Sequence, residues 1–420
     1  MSGPPRYFVT AAEAADLLGV TRATLYAYRS RGQLRSEPTP GRPRERRYHL
    51  DDVERLKDRK EARHDPARAA ARALHWGGPV LESGVTLIHD GRLYYRGRDA
   101  VKLADTATVE DAAALLWNVG SAERRRLFDQ ARPLTDRQVA QVRACTRNSL
   151  AQFQITLAMG AAADVASYDL RPPAVRQTAA RILRLLTTVA ARDASPAPIH
   201  RALQRAWAPR CEDAAGVIRT ALILCADHET NVSAFVARCA ASAGASPYDV
   251  VSAAMATLKG FRHGGASERI ASLVKEVSTP KSARLLVASR LRHGETLPGF
   301  GHPLYPGGDP RAARLVQLAA SSGNEAAWRP FRHLLGAASH VLNDHPNLDF
   351  GLAAVSRAYG LPEPAPILIF ALGRTIGWMA HAMEEYTAGR LIRPRARYVG
   401  QPPSDDPTSA ETLAGSGDLA

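Results

Sequence analysis

A chain of 420 residues is long enough to bury a large core and to form two or three domains. Its 45% hydrophobic, 6% aromatic and 23% charged residues exclude a disordered chain, and no apolar run reaches the ~18 residues a membrane-spanning helix needs. A net charge of +14 and a pI near 10.0 point to anionic partners (nucleic acid, CoA phosphates or polycarboxylates), or to the Arg- and Ala-rich usage of a GC-rich genome.

The first ten residues, MSGPPRYFVT, hold no apolar signal core, so a cytoplasmic location is expected. Residues 1–60 read as a separate module. Thr10-Ala11-Ala12-Glu13 is a capping box opening a helix through Leu18, which Gly19 ends. Thr21 caps a second helix from Arg22 to Arg31, with Leu25 and Tyr28 on its apolar side and Gly32 at its end. The basic turn Gly41–Tyr48 fits the wing of a short hairpin, and Asp51 can cap a third helix carrying Val53 and Leu56. Helix, tight turn, helix and basic wing form a helix-turn-helix plan, and the string AAEAADLLGVTRATLYAYRSRGQLRS resembles the MerR/excisionase-type winged helix family. That resemblance implies contact with duplex DNA. Arg22, Thr24, Tyr26 and Arg29 would lie on the exposed face of the recognition helix, with Arg42, Arg44, Arg46 and Arg47 against phosphates. The same pattern also describes a folded appendage with a solvated basic face. Residues 61–80 are expected to be a linker, because 59–75 are charged and Ala-rich.

From residue 76 the pattern changes. Val85–Ile88 and Leu93-Tyr94-Tyr95 flank Asp90-Gly91, two β-prone runs around a hairpin turn. Helices are expected over 108–119, 136–165, 175–192, 213–227, 231–243, 248–259, 310–322, 350–358 and 364–388, with short Pro- and Gly-rich breaks such as 296–309. The fold class is therefore mainly α, with one small β element before a large helical domain over 81–400 and a disordered tail over 401–420. Cys145, Cys211, Cys225 and Cys239 form no CxxC pair, so reduced structural thiols are expected. The 13 histidines show neither HExxH nor a Cys/His cluster, so no metal site is expected.

Five segments of this domain carry chemistry. They are Leu93–Asp99 with Ala112–Trp117; Asp227-His228-Glu229-Thr230-Asn231-Val232-Ser233; Leu258–Glu268, containing His263-Gly264-Gly265; Pro298–Tyr305, followed by Asp309-Pro310-Arg311; and His345-Pro346-Asn347-Leu348-Asp349-Phe350. A C-terminal stretch, Phe370–His381 with Arg374, and the tail Ile392-Arg393-Pro394-Arg395 follow. In this order they resemble the citrate synthase family, covering its DHExNxS, LxGPxHGGAxE, GFGHxxYxxxDPR, PNVDF, ARTxGWxAH and IxRPR motifs. Phe261 stands where the family usually has proline, and Gly351–Ala354 replace its usual Tyr-Ser-Gly continuation.

The resemblance implies an all-α fold of large and small helical domains, the small one roughly 225–330, in a homodimer that closes over substrate. It implies condensation of acetyl-CoA with oxaloacetate and water to citrate and CoA, with acyl-CoA as a substrate and no cofactor. By the same resemblance Asp349 is the base, His263 donates to the thioester oxygen, and His302 polarises the ketone. His228, Arg311, Arg374 and Arg393 bind the oxo acid, and the backbone of Gly299, Phe300 and Gly301 approaches CoA. The chemistry calls for such a set. A thioester α-carbon is a weak acid that needs both a base and a donor for the developing enolate, and a dicarboxylate in a dry pocket needs paired charges. Two other readings stay open at this point. One is 2-methylcitrate synthesis from propionyl-CoA, since one methylene is worth only about 1–3 kcal/mol in a pocket. The other is a DNA-binding regulator whose synthase-like domain senses a ligand.

Overall fold

Thr10 accepts from the backbone of Glu13 while the Glu13 carboxylate receives Thr10's own N–H, a closed capping box that starts the first helix. The computed structural model describes residues 8–39, 42–50, 52–53, 56–57, 81–195, 197–264, 266–342, 344–396 and 398–400. They divide into two units at the Glu82/Ser83 boundary, each with its own apolar core.

In the first unit, β1 (Phe8–Thr10) leads into α1 (Ala11–Leu18) and α2 (Arg22–Ser30), followed by β2 (Ser36–Thr39) and β3 (Arg42–His49). The three strands form an antiparallel sheet in the order β1-β3-β2, with Val9 opposite Tyr48 and Ser36 also opposite Tyr48. The wing hairpin of the sequence reading is therefore a three-stranded sheet, because Phe8–Thr10 adds a strand too short to announce itself. Leu18, Leu25, Leu34, Tyr48, Val53 and Leu56 close its core. Asp51, the expected cap of a third helix, lies outside the described residues, as do the expected linker 61–80 and tail 401–420.

The second unit opens with β4 (Thr86–His89) and β5 (Arg92–Tyr95), and β6 (Arg98–Asp99) adds a third antiparallel strand. Asp90 and Gly91 both have positive φ, 49° and 68°, as the two-residue hairpin turn requires. Asp99 then caps α3 (Ala100–Thr106) by accepting from Val101 and Lys102. Next come α4 (Val109–Leu116), α5 (Ser121–Gln130), α6 (Asp136–Cys145), α7 (Ser149–Ala163), α8 (Pro172–Ala191) and α9 (Ile199–Trp207). The helix expected over 136–165 is two helices. Thr146 is extended (φ −163°, ψ 152°), and the Asn148 side chain caps α7 by accepting from Ala151. The chain continues with α10 (Ala214–Cys225), α11 (Val232–Ser242), α12 (Pro247–Leu258), α13 (Ala266–Lys275), α14 (Pro280–Arg292), α15 (Pro310–Ala320), α16 (Glu325–Val341), α17 (Leu348–Ala358) and α18 (Ala365–Ala388). One apolar core runs from Val85 to Ala382.

Helix α18 is buried along nearly its whole length. Its glycines let it meet α10 backbone to backbone. A Cβ on Gly377 would stand 2.3 Å from the Ala226 carbonyl, and one on Gly373 2.5 Å from that of Leu222. This close approach sets Arg374 beside the C-terminal end of α10.

Candidate active site

The hairpin, α10 and α18 converge on Asp227-His228. The buried Tyr95 hydroxyl donates to the Ile223 carbonyl and accepts from the Asp227 N–H. Thr86 Oγ1 donates to Asp227 Oδ2 at 2.6 Å. Behind Asp227 runs a largely buried polar chain, with only Glu384 at its end partly exposed. Arg238 pairs with Glu384 and Glu385 and donates to His381 Nδ1, so the proton of a neutral His381 sits on Nε2, facing Asp227. Glu229 holds a left-handed φ of 51°, a strained turn for a residue with a Cβ. The polar chain anchors that turn, and His228 projects from it.

His228 Nε2 meets the Tyr305 hydroxyl at 3.1 Å, and its ring lies edge-on to His302 with centroids 5.0 Å apart. Burial, with Arg311 and His302 adding to it, holds His228 well below the usual histidine range. His302 Nδ1 accepts from the Leu304 N–H at 3.2 Å. Burial and then Arg311 push its pKa down to about 4. The ring is therefore neutral at physiological pH, and with Nδ1 accepting, its proton is on Nε2.

His263 follows α12, and its Nε2 lies 2.9 Å from Ser233 Oγ. Trp378 Nε1 donates to that same oxygen at 3.1 Å. The hydroxyl has one proton to give, either to Asn231 Oδ1 at 2.8 Å or to His263 Nε2. Given to the histidine, it leaves the ring proton on Nδ1. Burial, then Arg374, lowers His263 to about 4, so this ring is also neutral.

Asp349 sits in the first turn of α17, where Asn347 accepts from its N–H. A helix N-terminus alone would lower a carboxyl. Burial wins here and raises Asp349 to about 6, against the Ser267 hydroxyl that donates to Oδ1 at 3.2 Å. The loop Gly299-Phe300-Gly301 pairs with the segment before α17. Gly301 N donates to the His345 carbonyl and Asn347 N to that of Gly299, both at 2.9 Å. Gly299, with φ 87°, has Ile270 and Phe350 too close for a Cβ.

Two buried guanidinium groups complete the cluster and differ in kind. Arg311 forks onto Asp309, the cap of its own helix, through Nε at 3.0 Å and Nη2 at 2.8 Å. Burial opposes the charge, and Asp309 outweighs it and holds Arg311 protonated. Arg374 donates Nε to the Cys225 carbonyl at 2.7 Å and stacks over Phe370, yet forms no ion pair among the described residues. Burial lowers its pKa. An unpaired buried cation is costly unless something anionic joins it.

The structure thus brings His228, His263, His302, Asp349, Arg311 and Arg374 into one electrostatic neighbourhood, and backbone bonds tie the loop 299–301 to the segment before Asp349. It leaves Arg393 exposed on the segment after α18, which a bond from Ile392 N to Ser242 Oγ ties down. Sequence reasoning passed over Ser233, Tyr305 and Asp309 as partners, although each lies inside a quoted motif at a spacing that faces it inward. It also passed over Arg238 and His381, whose link to Asp227 depends on helices more than 140 residues apart in sequence. No group of three or more His, Cys, Asp or Glu residues among the described residues is arranged to hold a metal.

In the first unit, Arg22 and Arg29 are exposed on α2 and make no side-chain bond among the described residues, and Tyr26 is half exposed. Thr24 Oγ1 lies 3.0 Å from that of Thr21. Arg46 reaches Ser36 Oγ at 3.0 Å, and Arg47 pairs with Glu37 and stacks 4.0 Å over Phe8. Both arginines are thus held on their own sheet. The side chains of Arg42 and Arg44 lie outside the described residues.

Residues 8–61 match the family described as "Helix-turn-helix domain" and residues 74–395 the one described as "Citrate synthase, C-terminal domain". Among curated proteins, "Citrate synthase 2" of Bacillus subtilis strain 168 is 29% identical over 377 residues, covering 79% of this chain and 96% of that protein. A 2-methylcitrate synthase of Shewanella oneidensis is 35% identical over 191 residues, 44% of this chain and 51% of that one. Among solved structures, the citrate synthase of Thermoplasma acidophilum in ternary complex with carboxymethyl coenzyme A and oxaloacetate superposes with a TM-score of 0.71 at 24% identity, over 78% of this chain and 96% of that one. That of Thermotoga maritima reaches 0.68 at 24% identity, over 79% and 96%. The fold is shared with both, and the family match spans most of the chain: it belongs to the citrate synthase family.

Proposed function

We propose that this protein condenses acetyl-CoA with oxaloacetate and water to give citrate and CoA, as an acyltransferase that converts the acyl group to an alkyl group on transfer. The observation that carries it is the pairing of opposite chemistries in one pocket: a carboxyl raised to about 6 at Asp349 beside neutral histidines lowered to about 4. A base that is ionised near neutrality and uncharged donors suit proton abstraction from a thioester α-carbon.

In this reading Asp349 takes the α-proton. Neutral His263 donates from Nδ1 to the thioester oxygen as it becomes an enolate, which requires Ser233 to give its hydroxyl proton to His263 Nε2 rather than to Asn231. The enol carbon attacks the ketone carbon, and His302 Nε2–H donates to the oxygen that becomes an alkoxide. Water then hydrolyses the thioester, releasing CoA. Arg374, which forms no ion pair among the described residues, takes one carboxylate, and the edge of Arg311 that Asp309 leaves open takes the other, with His228 orienting the ketoacid. The Gly299–Gly301 backbone approaches CoA. Arg393, exposed in one chain, reaches the pocket of the partner in a homodimer. The N-terminal module binds duplex DNA, chiefly through the exposed arginines of α2, and the protein works in the cytoplasm. The test is release of free CoA thiol from the metal-free protein. It should require both acetyl-CoA and oxaloacetate. Propionyl-CoA as the better substrate would select the 2-methylcitrate reaction, and no release with either thioester would sink the catalytic reading.

A further inference from the structure

Away from this pocket, α6, α7, α8, α9 and the start of α18 border an open cavity of about 620 Å³, within the range of small-molecule sites. Arg143, Arg147 and Arg192 line it, together with Thr146 and Ser149, and none of its lining residues is acidic. Among the described residues the three arginines form no ion pair. Arg143 is partly buried, and burial together with the charge of Arg192 lowers its pKa. Arg192 closes α8 in the left-handed conformation (φ 56°), where a glycine would be unstrained, and its side chain is exposed. Arg147 and Arg192 are exposed at the rim, and the charge of Arg192 acts on the partly buried Arg143, a repulsion that a shared anion would relieve. The wall beside them is apolar, with Trp207 held in place by its Nε1 bond to the Ala190 carbonyl, and Leu368 of α18 alongside.

We propose that this cavity is a binding site for a phosphorylated small molecule bearing an aromatic group, with the phosphates on Arg143, Arg147 and Arg192 and the ring against Trp207. The argument uses none of the condensation chemistry and stands apart from it. Arginine suits phosphate through its planar fork of donors, and a flat aromatic wall suits a ring.

Calorimetric titration of the full-length protein tests it with two probes, tripolyphosphate and adenosine triphosphate. Tripolyphosphate should bind at low salt and at least tenfold more weakly at 0.5 M salt, as exposed charges are screened. Adenosine triphosphate should bind several-fold tighter than tripolyphosphate, and Trp207→Leu should erase that difference. Replacing the three arginines by glutamine should abolish tripolyphosphate binding while leaving both Michaelis constants within about twofold of wild type. Should that variant fold poorly, Arg192→Glu alone, at an exposed position, should weaken binding at least tenfold. The proposal is overturned if tripolyphosphate fails to bind at low salt, if the arginine variants bind it as wild type does, or if adenosine triphosphate binds no tighter than tripolyphosphate.

Discussion

Asp349 and the histidines facing it have been moved in opposite directions by one cause. Burial disfavours whichever form is charged, so it raises the carboxyl and lowers the imidazoles. The sign of the pH dependence follows. The reaction needs Asp349 ionised and the histidines neutral, so activity is lost as pH falls through Asp349's value. kcat/KM should rise tenfold per pH unit up to about 6 and then level off, with about a tenth of the molecules active at pH 5. Asp349→Asn should lose about a thousandfold in turnover and abolish this limb. A wild-type profile flat from pH 5 to 8 would exclude Asp349 as the base. Arg374 has the opposite relation to stability. It is buried and forms no ion pair among the described residues, with Asp227 the main charge that favours it, so Arg374→Met should leave the unliganded protein's melting temperature unchanged or raised. The same change should raise the Michaelis constant for oxaloacetate about a hundredfold, near 2.7 kcal/mol. A structural arginine would show the reverse: a lower melting temperature with the Michaelis constant intact.

At the scale of elements, the contact of α18 with α10 decides whether the site assembles. Gly377→Ala would press a methyl carbon onto the Ala226 carbonyl and the Asp227 carboxylate, and α10 cannot yield without shifting His228. Chemical denaturation should show a loss of about 3 kcal/mol, accompanied by lower activity in the folded fraction. Gly216→Ala, which meets nothing within 4 Å, is the control. Local signals were clearest where capping or turn chemistry acts within a few residues, as in the box of α1 and the Asp-Gly turn between β4 and β5. They were weakest where only packing defines the element. Helices α3, α5, α9, α13, α14 and α16 did not stand out in the sequence. Pro330 lies inside α16, and α14 carries four charged residues in thirteen, so neither reads as a clean amphipathic helix. Their apolar residues, such as Ile270, Val287 and Phe331, become a pattern only against the shared core. The break between α6 and α7 was missed for a related reason: Thr146 and Asn148 are weak helix breakers until one is extended and the other caps.

For the whole molecule, two units are joined in one chain, and each carries its own test. If Arg393 serves the partner's pocket and Arg374 its own, Arg374→Ala and Arg393→Ala homodimers should both be nearly inactive. In a mixed dimer both lesions fall in one pocket, so about half of the wild-type activity should return. Heterodimers that form and stay inactive would rule out a shared site. For the helix-turn-helix unit, affinity for duplex DNA should fall steeply with salt, since phosphate contacts release counterions. Arg22→Ala with Arg29→Ala should weaken binding more than Arg46→Ala with Arg47→Ala, because the second pair is already engaged by Ser36, Glu37 and Phe8. Equal losses measured by fluorescence anisotropy would return the wing arginines to the interface.

The sequence alone determined the order of the motifs, the helix-turn-helix plan, the mainly α class and the family, because each of these is written in residues close together along the chain. What only the tertiary structure decided is the state of the groups. Arg311 is matched by Asp309 while Arg374 forms no ion pair among the described residues. His302 carries its proton on Nε2, and Ser233 stands between Trp378, Asn231 and His263. The arginine cavity likewise joins residues from 143 to 368. Protonation and pairing depend on burial and on the nearest charge in space, and both are set by the packing of helices distant in sequence.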